Sequence, residues 1–316
     1  MGCRSFRLQF LIDLFCPCRY NQWSEILIAP PEHSVHFART PKLATAMPQD
    51  KLKNPPLVEV VFEIQWDSQL ARRNPFFSIC WGQLHSGLSE KFLRIVPLLP
   101  AIPLPEEISH NMYHYRFCPQ GKTSPMVQVG PGALALHETN PLSYCWEEFK
   151  ENIRFISKQL IQNPANIFLP RRLALRYIDF FECNFAEIGF FDYLKKYLKI
   201  DFSLPSKLFD RGYVYSQASP HNLHLQTFFP CCSSKGGDLG EVGLSFRCGE
   251  RHRGKDKVLG IFMETIVQCP PMPFEKMSRC WSPPEEVTNW AEEAHNITHR
   301  WFFTLIDGGL REKFDQ

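Results

Sequence analysis

No run in this 316-residue sequence reaches the roughly 18 uninterrupted apolar residues that a membrane-spanning helix needs. The apolar stretch from Leu8 to Cys16 contains Asp13 and soon meets Pro17 and Arg19, so no membrane span is expected. The C-x-x-C pair is also missing, although the chain holds 12 cysteines. Their closest spacings are C-x-C at Cys16 and Cys18 and the adjacent Cys231 and Cys232, which start neither a zinc site nor a redox motif. Cys80, Cys145 and Cys183 sit inside apolar stretches, where a free thiol behaves as a small hydrophobe; a reduced, cytoplasmic protein is expected. There is no Gly-x-Ser-x-Gly elbow. Gly130-Pro131-Gly132 lacks the Gly-Lys-Ser/Thr of a phosphate cradle and leads into an alternating run, so it reads as a hairpin turn. No cofactor is expected.

An excess of charge of one sign is lacking too. The whole chain is formally +2, and residues 1–46 hold five cations and three anions, which leaves 30 of each sign in the remainder. Phosphate neutralisation supplies most of the affinity of a nucleic-acid binder, so this balance makes nucleic acid an unfavoured partner. Residues 1–46 show no sustained period of 3.6 or 2. They read as a poorly structured extension, with Met47 as a working start, and carry no convincing myristoylation site or signal peptide.

The composition itself, 44% hydrophobic and 14% aromatic, suffices for one large core or two smaller ones. From Asn54 the pattern is strongly ordered. NPPLVEVVFEIQW alternates Val58, Val60, Phe62, Ile64 and Trp66 against Glu59, Glu63 and Gln65, as a half-buried strand does. A helix is expected next, capped by Asn74 with Pro75 at its first position and an apolar stripe of Phe76, Cys80, Leu84, Leu88 and Phe92. Four shorter strands (94–101, 113–118, 126–129, 133–137) and a helix over 144–162 follow. The second part repeats that order with a strand in RRLALRYIDFFEC, a helix over 189–200, and strands near 212–217, 221–229, 241–248 and 258–268. A final helix is capped by Ser282, with a stripe of Val287, Trp290, Ala294, Ile297, Trp301 and Leu305, and ends at Gly308-Gly309. The expectation is an α+β fold of two similar halves, 47–168 and 169–316, each strand, helix, four strands, helix, with antiparallel sheet carrying helices on one face. That order is similar to duplicated saddle folds such as the TATA-box-binding protein, an analogy that carries no function.

Four charged residues stand out. Glu59 and Glu63 are about 13 Å apart along their strand, beyond the roughly 5–9.5 Å of a glycosidase pair, so they are not each other's acid–base partner. Arg172 and Arg176 repeat that spacing on the leading strand of the second half. An ion-pair ladder between two central strands, solvated faces, and a ligand-binding or catalytic site are the three readings. His295 and His299 lie one helical turn apart, as a metal pair would, but without a third ligand or the Glu of a zincin; an exposed helix face is the plainer reading. RCGERHRGKDK, with Arg251, Arg253 and Lys255, reads as a charged hairpin tip that could contact an anion or nucleic acid.

These residues also carry a resemblance. The N-x-P-L-V-E-x-V-F-E-I strand at Asn54 to Ile64, the Q-V-G-P-G-x-L turn at Gln128 to Leu134, Y-x-W-x-x-F at Tyr144, Trp146 and Phe149, and R-x-x-L-R-Y-I at Arg172 to Ile178 follow in order. In these motifs the chain, from about Met47 onward, resembles a sporadically distributed bacterial family of unassigned biochemical role. Asp179 stands where that family usually has Asn. The resemblance implies no activity. The expected function is a non-enzymatic module binding a protein, peptide or small ligand at a sheet face or in a groove between the halves. The alternatives are a hydrolase with a pocket of Glu59, Glu63, Arg172 and Arg176, and nucleic-acid binding through the basic hairpin.

Overall fold

The computed structural model describes residues 52–99, 112–161, 167–202, 223–254, 256–269 and 284–316. The extension 1–46, the strand expected at 212–217, Lys255 and the Ser282 cap lie outside them. In chain order the first part contains β1 (Leu57–Gln65), α1 (Ser68–Arg73), α2 (Phe77–Ser89), β2 (Arg94–Pro97), β3 (Tyr115–Cys118), β4 (Met126–Gly130), β5 (Ala133–Glu138) and α3 (Trp146–Ile161). The second contains β6 (Arg172–Glu182), α4 (Phe190–Leu198), β7 (His224–Cys232), β8 (Asp238–Arg253), β9 (Asp256–Gln268), α5 (Pro284–Ile306) and α6 (Gly309–Asp315).

The strands form one antiparallel sheet in the order β2-β3-β4-β5-β1-β6-β9-β8-β7. The protein is thus α+β, with β1 and β6, the first strands of the two parts, side by side at the centre. β-branched and aromatic residues at every second position place Val60, Phe62 and Ile64 of β1 and Leu173 and Leu175 of β6 on one face. These five are buried against Leu84 and Leu88 of α2, Ile153, Ile156 and Leu160 of α3, and Trp290 and Ala291 of α5. Fully burying a side chain such as Phe62 stabilises by about 1.5–3 kcal/mol. A second cluster gathers Phe181, Phe190, Leu194, Leu198, Ile261, Met263, Ile306 and Leu310. The opposite sheet face carries the polar residues of the alternation, among them Glu59, Glu63, Gln128, His137, Arg176 and Glu264.

Three local expectations are corrected. Asn74 does not start a helix. Asp67 caps α1 by accepting from Leu70 N at 2.9 Å, while Asn74 closes α1 and its Oδ1 accepts from Phe76 N at 3.0 Å in a local turn. The stripe therefore begins at Cys80, and Phe76 is exposed. At the other end, Gly308, at φ 113, turns the chain out of α5 into α6, a helix the sequence pattern did not suggest, and Leu310 of α6 is buried. Gly130-Pro131-Gly132 is the β4–β5 turn, as expected. A side chain at Gly130 would stand 2.3 Å from the Met112 carbonyl oxygen, so this close crossing of backbones needs glycine.

Candidate functional site

The β1/β6 register decides what the four charged candidates do. Glu63 lies opposite Ala174 and Glu59 opposite Ile178, so neither glutamate directly faces Arg172 or Arg176. Each of the four meets other side chains. Glu63 accepts from Tyr113 Oη at 2.6 Å and from Gln65 Nε2 at 2.5 Å, and Glu59 meets His137 Nδ1 at 2.8 Å. Arg176 Nε lies 3.3 Å from Glu264 on β9, and Arg172 donates to Gln268. Burial first, then the Glu63 carboxylate, pushes the Tyr113 hydroxyl well above its ordinary range. It thus remains a donor.

The basic segment is the tip of the β8–β9 hairpin, as expected. There Arg253 pairs with Glu182, and Lys257 with Glu250 at 2.8 Å; all four side chains are exposed, and Arg251 is exposed as well. Such pairs are worth little and leave the tip nearly balanced.

A cavity of about 250 Å³ lies on the helix-covered side, at the junction of the two apolar clusters. Four stretches distant in sequence build it. Leu52, Pro55 and Leu57 lead into β1, and Pro141, Tyr144, Cys145 and Trp146 lead into α3. Tyr177 and Asp179 come from β6, and His295, Thr298, His299, Phe302 and Phe303 from α5. Cys145 is exposed, so the cavity reaches solvent beside it. None of Glu59, Glu63, Arg172 and Arg176 lines it.

Its polar wall is held firmly. The Tyr144 and Tyr177 hydroxyls are 2.7 Å apart, and Tyr177 Oη is 2.7 Å from His295 Nδ1. The His295 ring stacks on Trp146 at 4.0 Å, and Trp146 Nε1 donates to Glu292, which also holds Lys150 at 3.0 Å. Burial, helped by His299 and Lys150, lowers His295 to about 3, so its imidazole is neutral. Burial pushes both tyrosines above their ordinary range. The two histidines are therefore not on an exposed helix face. They do line the cavity together, ring centres 5.6 Å apart, but among the described residues no three His, Cys, Asp or Glu side chains are grouped to hold a metal.

Asp179, which in the sequence stands out only as an Asp at a position usually Asn in the family the chain resembles, also lines the cavity. It is 3% exposed, and no side chain among the described residues bonds its carboxyl. Burial raises it to about 8, and no cation among the described residues offsets the cost. The signal was present in RRLALRYIDFFEC. Leu173, Leu175, Tyr177, Asp179 and Phe181 alternate onto the core face, where an acid is out of place.

No family model matches the chain, and neither the curated proteins nor the solved structures contain a significant match to it.

Proposed function

We propose that the protein is a non-enzymatic binding module that holds a small molecule in the cavity between α5 and the β1/β6 pair. The observation that carries this reading is the buried Asp179 carboxyl, without a side-chain partner among the described residues, in a space walled by Tyr144, Trp146, Tyr177, Phe302 and Phe303. Ligand pockets have this character, mostly apolar with few convergent polar groups, and about 250 Å³ lies just under their usual range of roughly 300–1,000 Å³. The opposite sheet face is the weaker site, since Glu59 and Glu63 there already hold protein donors.

A thermal-shift screen of metabolites and nucleotides, combined with mass-spectrometric mapping of iodoacetamide labelling, tests the reading. A ligand should raise Tm and slow alkylation of Cys145. A ligand whose effect is lost in Glu63→Gln while Cys145 stays reactive would move the site to the opposite face.

We infer further that 47–168 and 169–316 are related halves. In support, each side of the sheet places its first strand at the centre and its last strand beside it, with the earlier ones following outward. A reducing, cytoplasmic setting is our reading for the compartment, supported by the eight described cysteines standing as thiols.

A further inference from the structure

The identity of the occupant can be argued from the cavity wall, and the argument rests on the binding reading above. We propose that the ligand is an organic monocation, a small amine on an apolar or aromatic body, whose ammonium group is held by Asp179.

The charges of the wall point this way. Among the described residues of the wall Asp179 is the one carboxylic acid, and none is Lys or Arg. An anion entering this space would meet that acid and, among the described residues, no lysine or arginine. Of the two histidines on the wall, His295 is kept neutral mainly by burial, with His299 and Lys150 acting in the same sense. No described side chain of the wall supplies the positive charge that Asp179 lacks, which leaves that role to the ligand.

The aromatic lining adds to this. Rings attract a cation over their faces by about 0.5–2 kcal/mol, more when water is excluded, and the tyrosines and phenylalanines at the wall offer such faces. The remaining wall is apolar and suits a short hydrocarbon body.

Binding is then linked to one proton. In the empty cavity near neutral pH the Asp179 carboxyl keeps its proton, since it titrates at about 8. An ammonium beside it favours the carboxylate, so the protonated amine enters, the Asp179 O–H bond breaks, and the proton leaves to solvent. The titratable groups sharing the wall are Tyr177 on the same strand, Tyr144 and Cys145 before α3, and His295 and His299 on α5. The tyrosines and His295 stay neutral across pH 6–8.

Three probes of one shape separate the possibilities: phenethylamine, phenethyl alcohol and phenylpropionate, each tested on the full chain by titration calorimetry, Tm and Cys145 alkylation. The amine should bind, raise Tm and protect Cys145. The alcohol should bind at least tenfold more weakly and the propionate not at all. Amine affinity should climb between pH 6 and 8 by up to tenfold per pH unit, with one proton released, while alcohol affinity stays flat. Asp179→Asn should abolish the preference for the amine and the pH dependence yet still bind the alcohol. Equal binding of amine and alcohol to the wild type, or an amine preference that survives in Asp179→Asn, overturns the cation inference and leaves the cavity reading standing. Failure of all three to protect Cys145 overturns both. The wild-type series decides the matter alone should Asp179→Asn not fold.

Discussion

The two faces of the β1/β6 pair both carry carboxylates, and they treat them in opposite ways. On the face away from the helices Glu59 and Glu63 each hold a donor within 3 Å, from His137 and from Tyr113 and Gln65. On the helix-covered face Asp179 is more deeply buried and holds none among the described residues. Satisfied charges on one side are part of the architecture. The one on the other side, without such a donor among the described residues, is the one proposed to meet a ligand. Burying an ionised group without a partner is costly, so the acid keeps its proton instead.

The contrast can be broken or sharpened by mutation. The largest effect belongs to the apolar packing beneath the pair: Phe62→Ala, with Phe62 fully buried beside Trp290, should cost about 3–5 kcal/mol in urea unfolding. On the face away from the helices, Glu63→Ala strands the buried Tyr113 hydroxyl and should cost about 1.5–3 kcal/mol; a loss under about 0.5 kcal/mol would mean that this carboxylate is no more committed than Asp179.

The next effect is one of pH. Asp179 titrates at about 8 when folded against an ordinary 3.8, so between those values the folded state binds the extra proton and stability falls as pH rises. Relative to Asp179→Asn, the wild type should lose about 1.4 kcal/mol per pH unit from pH 5 to 7, and parallel curves for the two proteins would refute the assignment. His295 acts in the reverse sense. Its folded value of about 3 lies below the ordinary 6.5, so stability falls as pH drops through that interval. The two slopes oppose each other below pH 6.5, and above it only that of Asp179 remains. The smallest effect is at the β8–β9 tip, where Arg253→Ala removes an exposed pair with Glu182 and should change stability by less than about 1 kcal/mol.

Much of the architecture was legible because periodicity writes it directly. The alternation in β1 and β6 and the stripe of α5 reappear as buried faces, and the β4–β5 turn follows from Gly-Pro-Gly. Helix starts were harder, since Asp67 and Asn74 are equally good caps and only the fold decides between them. Side-chain pairing across β1 and β6 was out of reach. Strand adjacency can be guessed from pattern, but register decides which residues face one another, and here it set Glu63 against Ala174. The cavity was the least accessible feature, because its four wall segments meet only in the folded chain. Its polar groups did leave traces, Asp179 as an acid on an apolar face and His295 and His299 as a pair one helical turn apart.

The seam between β1 and β6 also governs how the molecule can be taken apart. Split near residue 168, each piece would present a raw central strand, β1 on one and β6 on the other, along with half of the aromatic wall. Such fragments are expected to aggregate singly and to regain solubility when co-expressed, by zipping that ladder back together.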